Sequence, residues 1–248
     1  MDPVASECDD AVVGLVGEDP PSMDGLRRVA DAEGVALHAG GPDDVLDREP
    51  VLAVTVGDKA LAAVARRSVD VPILAVDCER GVSSTPRARA ADTLVTLLRK
   101  GGSEREAATL TVVVDGTAMR AVFDVALVTA EPGKISAFDV RAANERLANV
   151  RADGVVVATP AGSRGYARTV GGPTLGASVE AVAVVPISPF VTDRERWVVA
   201  PDDLTVTVER DESAVSLQVD GRVRESIDAG QRVTIDAGPS LTLLCVDG

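Results

Sequence analysis

TLTVVVDGTAMRAVFDVALVT, residues 109–129, marks a change of architecture along the chain. β-branched and apolar residues run on both sides of Asp115-Gly116, a pair suited to the positive φ angles of a two-residue hairpin turn. Upstream, short apolar runs alternate with helix-length segments. AVVGLV (11–16) is followed by a helix near Met23 to Glu33, then VALH (35–38), VLAVTV (51–56), a helix near Lys59 to Arg67, and VPILAVD (71–77). That order predicts a parallel sheet with covering helices. A further helix is expected from Ser84-Thr85-Pro86, a hydroxyl cap with proline in the first turn, to Lys100 before Gly101-Gly102. Downstream the period stays near two. Strands are expected at ISAFDV (135–140), VVVAT (155–159), AVAVVPI (181–187), RWVVA (196–200), LTVTVE (204–209), AVSLQV (214–219) and SLTLLCV (240–246). The boundary between the α/β and β-rich parts falls near residues 101–106.

Composition narrows the function classes. Hydrophobic residues make up 46% of the 248 but aromatics only 2%, so the core is built from Ala, Val and Leu, and stacking platforms for exposed bases are nearly absent. The net charge of −14, with Lys59, Lys100 and Lys134 the only lysines, repels phosphate backbones and anionic lipid. Nucleic acid and membranes are therefore not expected partners. An acidic surface poor in lysine resembles cytoplasmic proteins of salt-loving microbes. Cys8, Cys78 and Cys245 are far apart and odd in number, which predicts reduced thiols and no metal cage. The acidic start MDPVASECDD does not read as a secretory signal, and no apolar run reaches the ~18 residues of a spanning helix. The expected compartment is the cytoplasm. His38, the single histidine, reads as a strand-end residue, which argues against a histidine-based triad.

The candidate site is DGVVVATPAGSRGYARTVGGP, residues 153–173. An apolar strand breaks into a loop whose hydroxyls, on Thr159, Ser163, Tyr166 and Thr169, and whose glycines suit a ligand carrying phosphates or ribose. The plain alternative is a structural Gly/Pro loop between strands.

This stretch resembles the NAD kinase family, whose hallmark is an apolar run from Asp-Gly into TPTGSTAY followed by GGP. The similarity continues into VAVVPISPF (182–190) and VSLQVDGR (215–222). The resemblance implies a Rossmann-like α/β domain over 1–104 carrying the phosphate loop and a β-rich sandwich domain over 105–248 that binds NAD. The family's GGDG loop falls in VLAVTVGDKALAAVAR (51–66), where Gly57 and Asp58 match while Val56, Lys59 and Ala60 depart. Its Asn-Glu pair falls at Phe123-Asp124, and the literal Asn144-Glu145 is read as a coincidence. The resemblance implies transfer of a phosphoryl group from ATP or polyphosphate, with Mg²⁺, to the 2′-hydroxyl of the adenosine ribose of NAD. Asp58 would be the catalytic carboxylate, and Gly57, Asp58 and Lys59 the donor site. Asp124, Asp153, Thr159, Ser163, Arg164, Tyr166 and Thr169 would surround NAD, with Tyr166 a surface for adenine and Arg164 a partner for phosphate. A homo-oligomer, dimer or tetramer, is also implied. The altered Val56, Lys59 and Phe123 motivate an alternative, a dinucleotide-binding regulatory paralogue without catalysis.

Overall fold

The computed structural model describes residues 11–17, 24–67, 70–131, 134–143, 145–190, 195–211 and 213–246. Cys8, Met23 and Asn144 lie outside them. The chain divides into two compact units, one of residues 1–107 with 240–248, the other of residues 108–239.

In the first unit the alternating pattern folds as expected. β1 (Val12–Val16), β2 (Ala36–Ala39), β3 (Leu52–Val56) and β4 (Ile73–Val76) pair in parallel in the order β2-β1-β3-β4. Helices α1 (Asp24–Ala32), α2 (Pro42–Leu46), α3 (Asp58–Ala65) and α4 (Ala90–Lys100) join or follow them. One face of the sheet, with Val13, Leu15, Leu52, Val54, Leu74 and Val76, packs on Leu26 of α1 and on Leu94, Leu97 and Leu98 of α4. Burying each of these leucines is worth roughly 1.5–3 kcal/mol. α4 starts later than the sequence predicts. Thr85 does not cap it but bridges to Val76, with its N–H donating to the Ala75 carbonyl. Pro86 is extended (ψ 140°), and one 3-10 turn, Arg87–Arg89, intervenes before Ala90.

His38 lies in β2, its Nε2 2.6 Å from Asp44 Oδ2. Glu33, beyond α1, takes a two-pronged contact from Arg99 of α4, with Nε at 2.9 Å and Nη2 at 2.7 Å. The Arg99 hydrogen bonds hold the Glu33 carboxyl below its ordinary 4.5, against desolvation that pushes it up. A depressed carboxylate contributes stability above its unfolded pKa and loses it as pH falls through its folded one. The difference in melting temperature between wild type and Glu33→Gln is accordingly expected at pH 7 and to shrink below pH 4.5. Thermal melts across that range check it.

The second unit is an antiparallel sandwich. β6 (Thr117–Ala121) returns from β5 (Ser103–Val114) through Asp115 (φ 47°) and Gly116 (φ 80°), the hairpin read from the sequence. One sheet takes the order β12-β11-β10-β7-β14-β15, from β12 (Trp197–Val199), β11 (Val182–Ile187), β10 (Gly154–Ala158), β7 (Asp124–Thr129), β14 (Val215–Val219) and β15 (Arg222–Ile227). Facing it are β9 (Glu145–Ala152), β8 (Ser136–Ala142), β13 (Leu204–Arg210) and the first part of β16 (Arg232–Cys245). Their inner side chains, Leu127, Val155, Val157 and Leu217 from one sheet with Phe138, Val140, Val206 and Ile235 from the other, make a common core. β10 is buried on both faces. Its outward residues Val156 and Ala158 lie under Ala167 and Leu175 of the following loop, which is why its sequence is continuously apolar.

Two strands were absent from the sequence expectation, β9 and β15. Both are at sheet edges and mostly exposed, so each shows little apolar alternation. Residues 240–246 group with the first unit. β16 continues for 14 residues, and its Leu243 pairs in parallel with Ile73 of β4. No helix is long and apolar enough to cross a membrane among the described residues.

Candidate functional site

In the first unit the site is built where β3 and β4 end side by side, Val56 paired with Val76. Gly57 turns the chain with φ 82°, a conformation that favours glycine, and Asp58 is the first residue of α3. The Asp58 carboxylate remains 22% exposed. Arg80, in the turn after β4, donates its backbone N–H to Oδ1 at 3.4 Å and holds Nε 3.7 Å from Oδ2. Asp77, at φ 49°, accepts from the backbone N–H and Nε of Arg87 at 2.8 and 2.9 Å. Lys59 is exposed, and Val56 lines a cleft of about 360 Å³ at the carboxyl ends of β3 and β4. Gly25, Arg28, Val76 and Arg87 also line it, so two guanidinium-bearing side chains border the space.

Burial pushes the Cys78 thiol up to about 12, helped by the Asp58 carboxylate and then Asp77. The thiol therefore stays protonated and unreactive at neutral pH. Asp58→Asn removes one of those charges, and is expected to raise the rate at which Cys78 is alkylated by iodoacetamide above pH 8. Peptide mapping against Cys78→Ser checks this, with Cys245 as the internal reference. Arg80 and Cys78 escaped sequence reasoning. The signal available was indirect, since adjacent parallel strands bring their exit loops together, which puts residues 77–80 beside 57–58.

In the second unit Asp124 opens β7 and pairs in register with Ala158, so the chain leaves β10 beside it. Thr159 is 1% exposed. Its N–H donates to the Phe123 carbonyl at 2.9 Å, and its hydroxyl lies 2.7 Å from the Val122 carbonyl oxygen and accepts from Gly162 N–H at 3.1 Å. Ser163, fully buried, donates to the Pro160 carbonyl at 2.7 Å and accepts from Leu175 N–H at 2.9 Å. These two hydroxyls shape the loop from within. The expectation that both hydroxyls surround a ligand rests on the family resemblance, and a hydroxyl in a loop carries no mark of direction in the sequence. Phe123 is buried as well, and it is its carbonyl that supports the loop.

The outward groups are Arg164, Tyr166 and Thr169, the last with its hydroxyl 3.4 Å from the Gly165 carbonyl. Tyr166, in the short helix α5 (Tyr166–Thr169), is 38% exposed. Its phenol is pushed up by burial and then by the carboxylates of Asp153 and Asp124. Asp153 is fixed by its N–H donating to the Ile187 carbonyl at 2.9 Å. The exposed ring of Tyr166, the half-buried Asp153 and the exposed Arg164 two residues before Tyr166 are group types that suit a base, ribose hydroxyls and a phosphate, while Asp124 is only 3% exposed.

A parallel α/β unit followed by an antiparallel β sandwich is a fold shared with two solved kinases. Yeast NADH kinase complexed with NADH matches with a TM-score of 0.80, at 16% identity over 97% of this chain and 85% of that one. An NAD kinase from Archaeoglobus fulgidus in complex with ATP matches with a TM-score of 0.79, at 18% identity over 95% and 94%. The ATP-NAD kinase C-terminal domain model matches residues 123–245. An NAD kinase of Nitratidesulfovibrio vulgaris is 32% identical over 75% of this chain and 70% of its own length, and one of Methanosarcina mazei 28% identical over 88% and 79%. The chain belongs to the NAD kinase family. An NAD kinase of Methanosarcina barkeri is 37% identical over 40% of this chain, a stretch that spans only 36% of the relative's length.

Proposed function

We propose that this protein is an NAD kinase, transferring a phosphoryl group from ATP or polyphosphate to the 2′-hydroxyl of the adenosine ribose of NAD to give NADP. The observation that carries this reading is Asp58, a partly exposed carboxylate held at the start of α3 in a chain of this family. The hydroxyl oxygen attacks the terminal phosphorus, the bond from that phosphorus to the bridging oxygen breaks, and the hydroxyl proton passes to Asp58. Gly57 lets the turn form. Lys59 and the two arginines of the 360 Å³ cleft, Arg28 and Arg87, supply positive charge for donor phosphates, with Mg²⁺ arriving as their counter-ion.

The second unit binds the dinucleotide. Tyr166 stacks on adenine, Asp124 and Asp153 accept from ribose hydroxyls, and Arg164 pairs with phosphate. Thr159 and Ser163 act there by holding the loop, and Thr169 lies at its outer end. The charge of −14 with three lysines supports a salt-rich cytoplasm as the compartment. A homo-oligomer, dimer or tetramer, rests on the family resemblance. Purified protein in high salt with NAD, Mg²⁺ and ATP or polyphosphate is expected to yield NADP, resolved by chromatography. NAD binding without product from any donor would overturn the kinase reading and leave a dinucleotide sensor.

A further inference from the structure

We propose that Asp220 is a positioning residue of the dinucleotide site, holding by its carboxylate the backbone on which both Asp124 and the 159–163 loop are mounted. The inference rests on the kinase reading only for its functional consequence. Asp220 follows β14 in the Asp-Gly turn to β15 and has φ 52°. Its Oδ1 accepts from three consecutive backbone N–H groups, those of Val122 at 3.1 Å, Phe123 at 2.7 Å and Asp124 at 3.3 Å, and its Oδ2 lies 3.2 Å from Val122 N. Its own N–H donates to the Asp124 carbonyl at 2.9 Å. Successive N–H groups converging on one point form a concavity for an anion, and here that anion is a side chain of the same chain.

The other side of the same segment carries the loop. The Val122 and Phe123 carbonyls lie 2.7 and 3.1 Å from the Thr159 hydroxyl oxygen, and the Phe123 carbonyl also accepts the Thr159 N–H. Asp220 therefore fixes the backbone of the segment that carries Asp124 and against which Thr159 and Gly162 are seated.

A simpler role would be that aspartate tolerates the positive φ of the turn. The two roles separate cleanly, because glycine suits φ 52° better than aspartate but has no carboxylate, while asparagine keeps an oxygen at the Oδ1 position. Asp220→Gly and Asp220→Asn are compared with wild type by the KM for NAD and for ATP, and by amide hydrogen exchange over residues 159–165 without ligand. Asp220→Gly is expected to raise the KM for NAD about tenfold, with the KM for ATP within about twofold, and to speed exchange in the loop. Asp220→Asn is expected to stay within about threefold of wild type on both readouts. An unchanged KM and unchanged exchange in Asp220→Gly, or an Asp220→Asn as impaired as Asp220→Gly, would overturn the proposal. If the wild-type protein forms no NADP, the kinase reading fails, and the exchange measurement still decides the role of Asp220.

Discussion

Asp58→Asn is expected to lower the turnover number for NADP formation by about 10²- to 10⁴-fold, the usual worth of a positioned general base. Asparagine has nearly the same shape and still accepts the Arg80 N–H, but it cannot take the proton of a ribose hydroxyl. The fall should therefore appear in turnover while NAD affinity, measured by calorimetry, moves little. That split matters because Asp58 also has a structural neighbour in Arg80, whose Nε stands 3.7 Å from it. A structural role alone would lower the melting temperature and both kinetic parameters together. Turnover within about fivefold of wild type would place the base elsewhere, since a true general base is worth more than that.

Gly162→Ala is expected to destabilise the protein by about 3 kcal/mol, at the upper end for overpacking. A Cβ at residue 162 would stand 1.8 Å from the Phe123 carbonyl oxygen and 2.4 Å from its carbonyl carbon, both backbone atoms that cannot swing aside. The segment it would displace also carries Asp124, so NAD binding should be lost with stability. At 2–4 °C per kcal/mol for a chain of this size, the melting temperature falls by about 6–12 °C. Gly57→Ala is the control. Its added methyl meets nothing within 4 Å and suffers only from φ 82°, a cost of about 1–2 kcal/mol. Melting curves for the two variants, with calorimetry of NAD on each, check the order. If Gly57→Ala proves the more harmful, backbone conformation and not the close approach to Phe123 sets the requirement for glycine.

Much of the fold is legible in the sequence. The Asp115-Gly116 hairpin, the parallel strands before it and the apolar run of β10 each announce themselves through neighbours in sequence, because a turn, a helix face or a doubly buried strand imposes a local pattern. The edge strands β9 and β15 were illegible for the same reason inverted, since a strand paired on one side and wet on most of its surface needs no pattern. Gly57-Asp58 and residues 153–173 stood out by composition and by resemblance. What distinguishes their side chains is direction. Thr159 and Ser163 look like Thr169 on paper, yet the first two point inward and hold carbonyls and amides, while Thr169 is exposed. Tertiary structure alone brought Arg80 and Cys78 to Asp58, Asp220 to the amides of residues 122–124, and residues 240–246 back to the first unit. Contacts between residues about 20 to 170 positions apart depend on strand order and register, which a linear pattern of polar and apolar residues leaves open.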